Sequence, residues 1–203
     1  MDNEENNKVE EAAAKYQSSM PPEEYLAWER KQEGRHEYVE GVIVTMTGAS
    51  REHNRILSNL IINIGTFLDG GHCEILPSDM RVYVKSKESY FYPDATIVCD
   101  NPELIDGTDD NLLNPSVVIE ILSLSTAALD LGKKIFFYRQ IESVKEIITV
   151  NSTAMEVGIS RRQTDNSWKQ ETFTTVKDQL FIESINFRIL LENIYNRIKF
   201  GGG

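Results

Sequence analysis

The chain has 203 residues, 40% of them apolar and 26% charged, with 32 acids against 21 bases for a net charge of −11. That length and apolar share supply one full core and exclude wholesale disorder, and no run of about 18 apolar residues offers a membrane span. The acidity argues against a protein that coats nucleic acid by diffuse attraction, which usually has a basic surface. The excess is uneven: residues 1–40 hold eleven acids and five bases, and residues 130–203 eleven bases and nine acids. Any nucleic-acid contact is therefore local, and carboxylates gathered to hold a cation are compatible with the charge.

Residues 1–19 are polar, acidic and without an apolar core segment, so they read as a flexible leader and not a secretory signal. The rest, residues 20–200, reads as a single domain. Cys73 and Cys99 have no ligand-like spacing, which predicts free thiols and a reducing, cytoplasmic home. PPEEYLAWERKQ predicts a short helix with acids in its first turn, and HEYVEGVIVTM a β-hairpin bending at Glu40–Gly41. Ser50 is placed to cap a helix running to about Asp69, with Ile56, Leu57, Leu60, Ile61, Ile64, Phe67 and Leu68 at helical spacing and Gly70–Gly71 as its stop.

Strand-like segments follow: CEIL, MRVYVK and YFYPDATIVC. A loop over residues 100–115 leads to SVVIEIL, an apolar run suited to a strand covered on both faces. TAALDLGKKIFFYRQI predicts a helix and KEIITV another buried strand. Met155–Arg161 and Trp168–Thr175 predict an antiparallel meander at the sheet edge, and Arg188–Lys199 a terminal helix. This order describes an α/β domain, a mixed central sheet flanked by helices.

Glu120 is the informative residue. A carboxylate inside VVIEIL is buried, and burying it alone costs several kcal/mol, so a cation, a base or a proton must balance it. Asp94, one predicted strand earlier and preceded by Pro93, poses the same question at a strand start or bulge. Two such carboxylates on adjacent strands can share one hard divalent ion, and the bland alternative for Glu120 is a buried ion pair with a lysine or arginine. Position 122, which shares the face of Glu120, holds leucine, so an ammonium must arrive from the next helix. Lys133 and Lys134 point about 100° apart, so only one faces the site; Lys133 is assigned to solvent. Asp130, four residues before Lys134, allows a surface salt bridge as the plain alternative.

PDATIV, EILSLST, the spacing Asp130–Gly132–Lys134–Tyr138 and KEIITV, together with HEYVEGVIVTMTGAS, EHNRI and DMRVYV upstream, resemble the Uma-type restriction endonuclease family of the PD-(D/E)XK nuclease superfamily. The resemblance spans about residues 20–198 in the expected order. It implies a restriction-endonuclease-like fold and assigns Asp94, Glu120 and Lys134 as the catalytic set. Glu37 is implied as an additional acid or a partner behind the site. Leu122 departs from the superfamily pattern but is usual for this family, whereas Leu124 and Leu131 depart from the family pattern itself without replacing a proposed catalytic group.

The activity implied is metal-assisted phosphodiester hydrolysis, in DNA: Asp94, Glu120 and the carbonyl of Ile121 would hold Mg²⁺ or Mn²⁺, and Lys134 would orient water or stabilise negative charge. Weaker candidates are His53, Asp130 and Tyr138. Cutting two strands implies a homodimer by analogy. His36, His53 and His72 share no zinc-ligand spacing, and Ser123, Ser125 and Thr126 read as helix caps. The second reading keeps the fold but not the catalysis: an inactive relative that binds nucleic acid or a protein partner. In a third, a purely structural interaction protein, Asp94 and Glu120 are ion-pair members.

Overall fold

Glu40 and Gly41 both take positive φ, 49° and 91°, which gives the strands on either side the twist that a two-residue hairpin needs. The structure, a computed structural model, describes residues 15–16, 20–46, 48–105, 108–122 and 128–200. In chain order its elements are β1 (Lys15–Tyr16), α1 (Pro22–Glu29), β2 (His36–Val39), β3 (Val42–Thr45), α2 (Arg51–Leu68), β4 (Cys73–Pro77), β5 (Arg81–Val84), β6 (Ser89–Phe91) and β7 (Ala95–Cys99). There follow β8 (Asn111–Leu112), β9 (Val117–Leu122), α3 (Ala128–Tyr138), β10 (Glu146–Asn151), β11 (Val157–Arg162), β12 (Trp168–Phe173), β13 (Gln179–Ile182), β14 (Phe187–Leu190) and α4 (Leu191–Ile194).

The central sheet has the order β12-β11-β10-β9-β7-β4. Its β9–β10 pair is parallel, bridged by α3, and its other neighbours are antiparallel, so the sheet is mixed. β10, β11 and β12 form the expected meander at one edge. Alternation on β9 divides the core in two. Val117, Ile119 and Ile121 meet Ile56, Leu60 and Ile64 of α2. Val118 faces the other way, toward Phe137 and Tyr138 of α3 and toward Val82, Val84 and Phe91. The last three belong to a second sheet of order β1-β3-β2-β6-β5-β8, against which α1 packs through Tyr25 and Leu26.

α2 forms as its sequence dictates. Ser50 accepts a hydrogen bond from the backbone N–H of His53 at 3.1 Å, and Ile56, Leu60, Ile64 and Leu68 recur every four residues on its buried side. Each such side chain contributes about 1.5–3 kcal/mol by leaving water.

Several expectations are corrected. YFYPDATIVC is two strands in two sheets, because Pro93 has no N–H to continue a ladder. The expected terminal helix over Arg188–Lys199 is β14 followed by the short α4. Ile189 and Leu191 are buried two residues apart, and β14 pairs with β13, which the sequence reading left out. Buried Glu146 ties that hairpin to the central sheet, accepting from Arg161 Nε (3.0 Å) and the backbone N–H groups of Glu183 (3.0 Å) and Ser184 (2.8 Å).

Cys73 and Cys99 are not free thiols. They stand directly opposite each other on β4 and β7 and form a disulfide, a pairing that a separation of 26 in sequence does not reveal. Of the expected leader, Lys15–Tyr16 pairs with β3, and the rest lies outside the described residues. Among the described residues no helix is long and apolar enough to cross a membrane.

Candidate active site

The register of β7 against β9 runs Thr96–Val118 and Ala95–Ile119, so one step further sets Asp94 opposite Glu120 and the next would set Pro93 opposite Ile121. Pro93 cannot donate to the Ile121 carbonyl, and the ladder stops there. The backbone N–H of Ile121 turns instead to Asp94, donating to Oδ2 at 2.6 Å. The other carboxylate oxygen of Asp94 accepts from His53 Nε2 at 2.8 Å, an imidazole brought in by the first turn of α2. The broken ladder therefore leaves a carboxylate fixed at both oxygens by N–H donors at the end of a strand.

Glu120 lies on the α3 side of β9, and α3 supplies its partners. Tyr138 donates its hydroxyl to Glu120 Oε1 at 2.6 Å, and Lys134 Nζ stands 3.5 Å from the same oxygen. Lys134 Nζ reaches Glu37 Oε1 at 2.7 Å, so one ammonium serves two carboxylates. Positions 134 and 138 are one helical turn apart, which explains how both reach a single strand residue. Lys133 points elsewhere: its side chain is 50% exposed and 3.6 Å from Glu40.

Burial disfavours the ionised form of Glu120, and its pKa is raised to about 7; Lys134 opposes the shift, and Asp94 and Glu37 add to it. Burial alone would lower the Lys134 pKa, but Glu120 and Glu37 outweigh it and hold the ammonium above its ordinary range. Burial, with Glu120 next, pushes the Tyr138 hydroxyl well above its usual value. Two carboxylates thus contact one lysine, and the charge of a third, Asp94, acts on the same groups. The donor set fits a hard divalent cation: it offers oxygen ligands, the register sets two of its acids at one end of the β7–β9 pair, and their charges exceed that of Lys134.

The structure brings together Asp94, Glu120, Lys134, Glu37, His53, Tyr138 and the backbone of Ile121. Lys134 pairs with Glu37 and Glu120. The side chain of Asp130, the plain alternative partner, lies outside the described ones, as do Ser123, Leu124, Ser125 and Thr126. His36 is occupied elsewhere, 3.0 Å from Glu29. His72 comes together with Cys73 and Cys99, their ligand atoms within 4.8 Å of one another, but the disulfide consumes both sulfurs.

Sequence reasoning missed the support behind Glu37. The backbone N–H of Tyr92 donates to Glu37 Oε1 at 3.2 Å, and the Tyr92 hydroxyl donates to Glu29 Oε1 at 3.0 Å. Arg81 Nη1 donates to the Tyr92 hydroxyl at 3.0 Å and is itself buried, held by Asn111 and Asp110. Burial pushes the Tyr92 hydroxyl up to about 12. Arg81 occupies the polar position of an alternating strand, a pattern that ordinarily means exposure, so periodicity gave no signal.

The sequence matches the Uma2 family, described as "Putative restriction endonuclease", over residues 22–189. Two uncharacterized proteins of Synechocystis sp. are similar. One, slr1290, is 32% identical over 181 residues, covering 89% of this chain and 94% of that protein; the other, sll1609, is 33% identical over 145 residues, covering 71% and 82%. The fold is similar to the crystal structure of a putative nuclease belonging to DUF820 from Anabaena variabilis, with TM-score 0.73, 17% identity, and coverage of 87% of this chain and 97% of that one. The mixed sheet flanked by helices is therefore a nuclease-type fold, and the chain belongs to the Uma2 family.

Proposed function

We propose that the protein is a divalent-metal-dependent nuclease that hydrolyses phosphodiester bonds, in DNA, at the cluster of Asp94, Glu120 and Lys134. The observation that carries this reading is the placing of Asp94, bound by the Ile121 N–H, and Glu120 at one end of the β7–β9 pair, with Lys134 shared between Glu120 and Glu37. Asp94 and Glu120, with the Ile121 carbonyl, would hold Mg²⁺ or Mn²⁺. Such an ion, when bound, polarises a phosphate and makes its water a stronger nucleophile.

The chain's own groups do the rest. His53 and the Ile121 N–H fix both oxygens of Asp94. Tyr138 orients Glu120 through Oε1. Lys134 keeps its proton, as its raised pKa requires, and offers fixed positive charge to the phosphate as negative charge develops. Glu37 holds that ammonium in place and is braced by Tyr92. Since the Glu120 pKa lies at about 7, the metal-free site is better prepared to bind a cation above that pH.

The test is cleavage of supercoiled and linear DNA with Mg²⁺, with Mn²⁺ and with a chelator, comparing wild type with Glu120→Gln. Metal-dependent nicking that the variant lacks is the expected result; equal cleavage by both would overturn the assignment. A homodimer would present two such clusters to a duplex, and sedimentation measures that state. One observation favours the non-catalytic reading, a nuclease-fold protein that binds nucleic acid or a protein partner. Both oxygens of Asp94 and one of Glu120 already have partners within the chain, so those contacts need no metal.

A further inference from the structure

Three arginines border one open groove on the outward face of α2. Arg51, Asn54, Arg55, Ser58 and Ile62 form a stripe at helical spacing, opposite the buried stripe of Ile56, Leu60 and Ile64. The C-terminal segment makes the other wall. Asn59 Nδ2 donates to the carbonyls of Ile194 at 2.8 Å and Asn196 at 3.0 Å, which seats Arg197 at the rim. The groove has a volume of about 620 Å³, and no carboxylate and no aromatic ring lines it.

Of the other arginines, Arg30, Arg35, Arg81 and Arg161 pair with acids, and Arg139, Arg162 and Arg188 lie over the rings of Trp168 or Phe181. Arg51, Arg55 and Arg197 make no ion pair or side-chain hydrogen bond among the described residues. Three uncommitted guanidinium groups around one concavity suit an anionic ligand with many oxygens, since the planar fork matches phosphate.

We propose that this groove takes the sugar–phosphate backbone of duplex DNA running on from the Asp94–Glu120–Lys134 cluster; the inference rests on the nuclease reading. α2 joins the two places. His53, in its first turn, touches Asp94 on the side facing the sheet, while Arg51 and Arg55 begin the groove on the opposite side. From Arg51 to Ile62 the helix advances about 16 Å, long enough to run beside more than one phosphate of a strand. Single strands are gripped by stacking bases on aromatic side chains, which this groove lacks, so phosphates of a duplex are the better match.

The test is binding of a short fluorescein-labelled duplex, followed by anisotropy in chelator across a range of KCl concentrations. The variants are R51Q/R55Q/R197Q and R51Q/R55Q, which leaves the Asn59-anchored segment untouched. K145Q/K169Q/K177Q, from exposed lysines elsewhere, matches the charge change of the triple variant, and thermal melts confirm that each variant is folded. The arginine triple variant is expected to bind about tenfold or more weakly near physiological salt and to lower the log–log salt slope by about two to three, with the double variant intermediate and the lysine variant close to wild type. Equal losses in the two triple variants, tighter binding of the single strand, or no duplex binding by wild type at low salt overturns the proposal. Failure of the nuclease reading has a different signature: arginine-dependent duplex binding without metal-dependent cleavage.

Discussion

One step beyond the paired Ala95 and Ile119, the β7–β9 register sets Asp94 opposite Glu120, so two carboxylates share one end of the sheet. Like charges directly opposite each other are destabilising. Lys134 offsets part of that repulsion, and the raised pKa of Glu120 records what is left beyond burial.

This has a consequence for stability. The Glu120 pKa goes from 4.5 to about 7 on folding, so between those values the native state binds more protons than the unfolded chain. Stability from this group is therefore highest below about 4.5 and falls as pH rises through 7. Relative to Glu120→Gln, the metal-free wild type is expected to lose on the order of 3 kcal/mol across that window. Urea denaturation at both ends of the window measures it, and parallel curves for the two proteins would count against the account.

Lys134→Met leaves Glu37 and Glu120 buried without their cation. A loss of about 3–5 kcal/mol is expected, as for other buried pairs broken on one side. Adding Glu37→Gln to that variant should recover part of it. A loss below about 1 kcal/mol would mean that the ammonium is not committed as its 2.7 Å contact with Glu37 indicates.

Tyr138→Phe removes the 2.6 Å bond that favours ionised Glu120. The cost to stability is about 1–2 kcal/mol. The more telling readout is the pH profile of cleavage, whose acidic limb should move to higher pH. A drop in rate with an unmoved limb would assign Tyr138 to packing alone.

The Cys73–Cys99 disulfide closes a separation of 26 residues. On the chain-entropy estimate, reducing it costs up to about 3.5 kcal/mol. Melting with and without reductant, alongside a thiol count, tests this. Identical midpoints with two titrated thiols in the reduced sample would remove the disulfide from the stability of the fold.

The site was more legible in the sequence than the topology. A glutamate within VVIEIL and an aspartate after Pro93 announce themselves because buried carboxylates need partners, and family resemblance pointed to Lys134 where local patterning left it level with a surface pairing to Asp130. The hairpin at Glu40–Gly41 and the capped α2 were legible because turn chemistry and helical spacing are local. The disulfide and β14 were not, because each depends on which strand lies beside which. In β14, Phe187, Ile189 and Leu190 fit either period until β13 supplies a ladder. Arg81 and Tyr92 escaped notice for the same reason: their partners come from distant elements.

Asp94 and Glu120 are proposed to hold a divalent cation together. Calorimetric titration of Mn²⁺ into wild type, Asp94→Asn and Glu120→Gln, extended to millimolar metal, tests it most directly, because it requires no knowledge of the nucleic-acid substrate. The account predicts binding by wild type that both variants lose. Binding of equal strength in all three proteins, or none in wild type at millimolar metal, would contradict it.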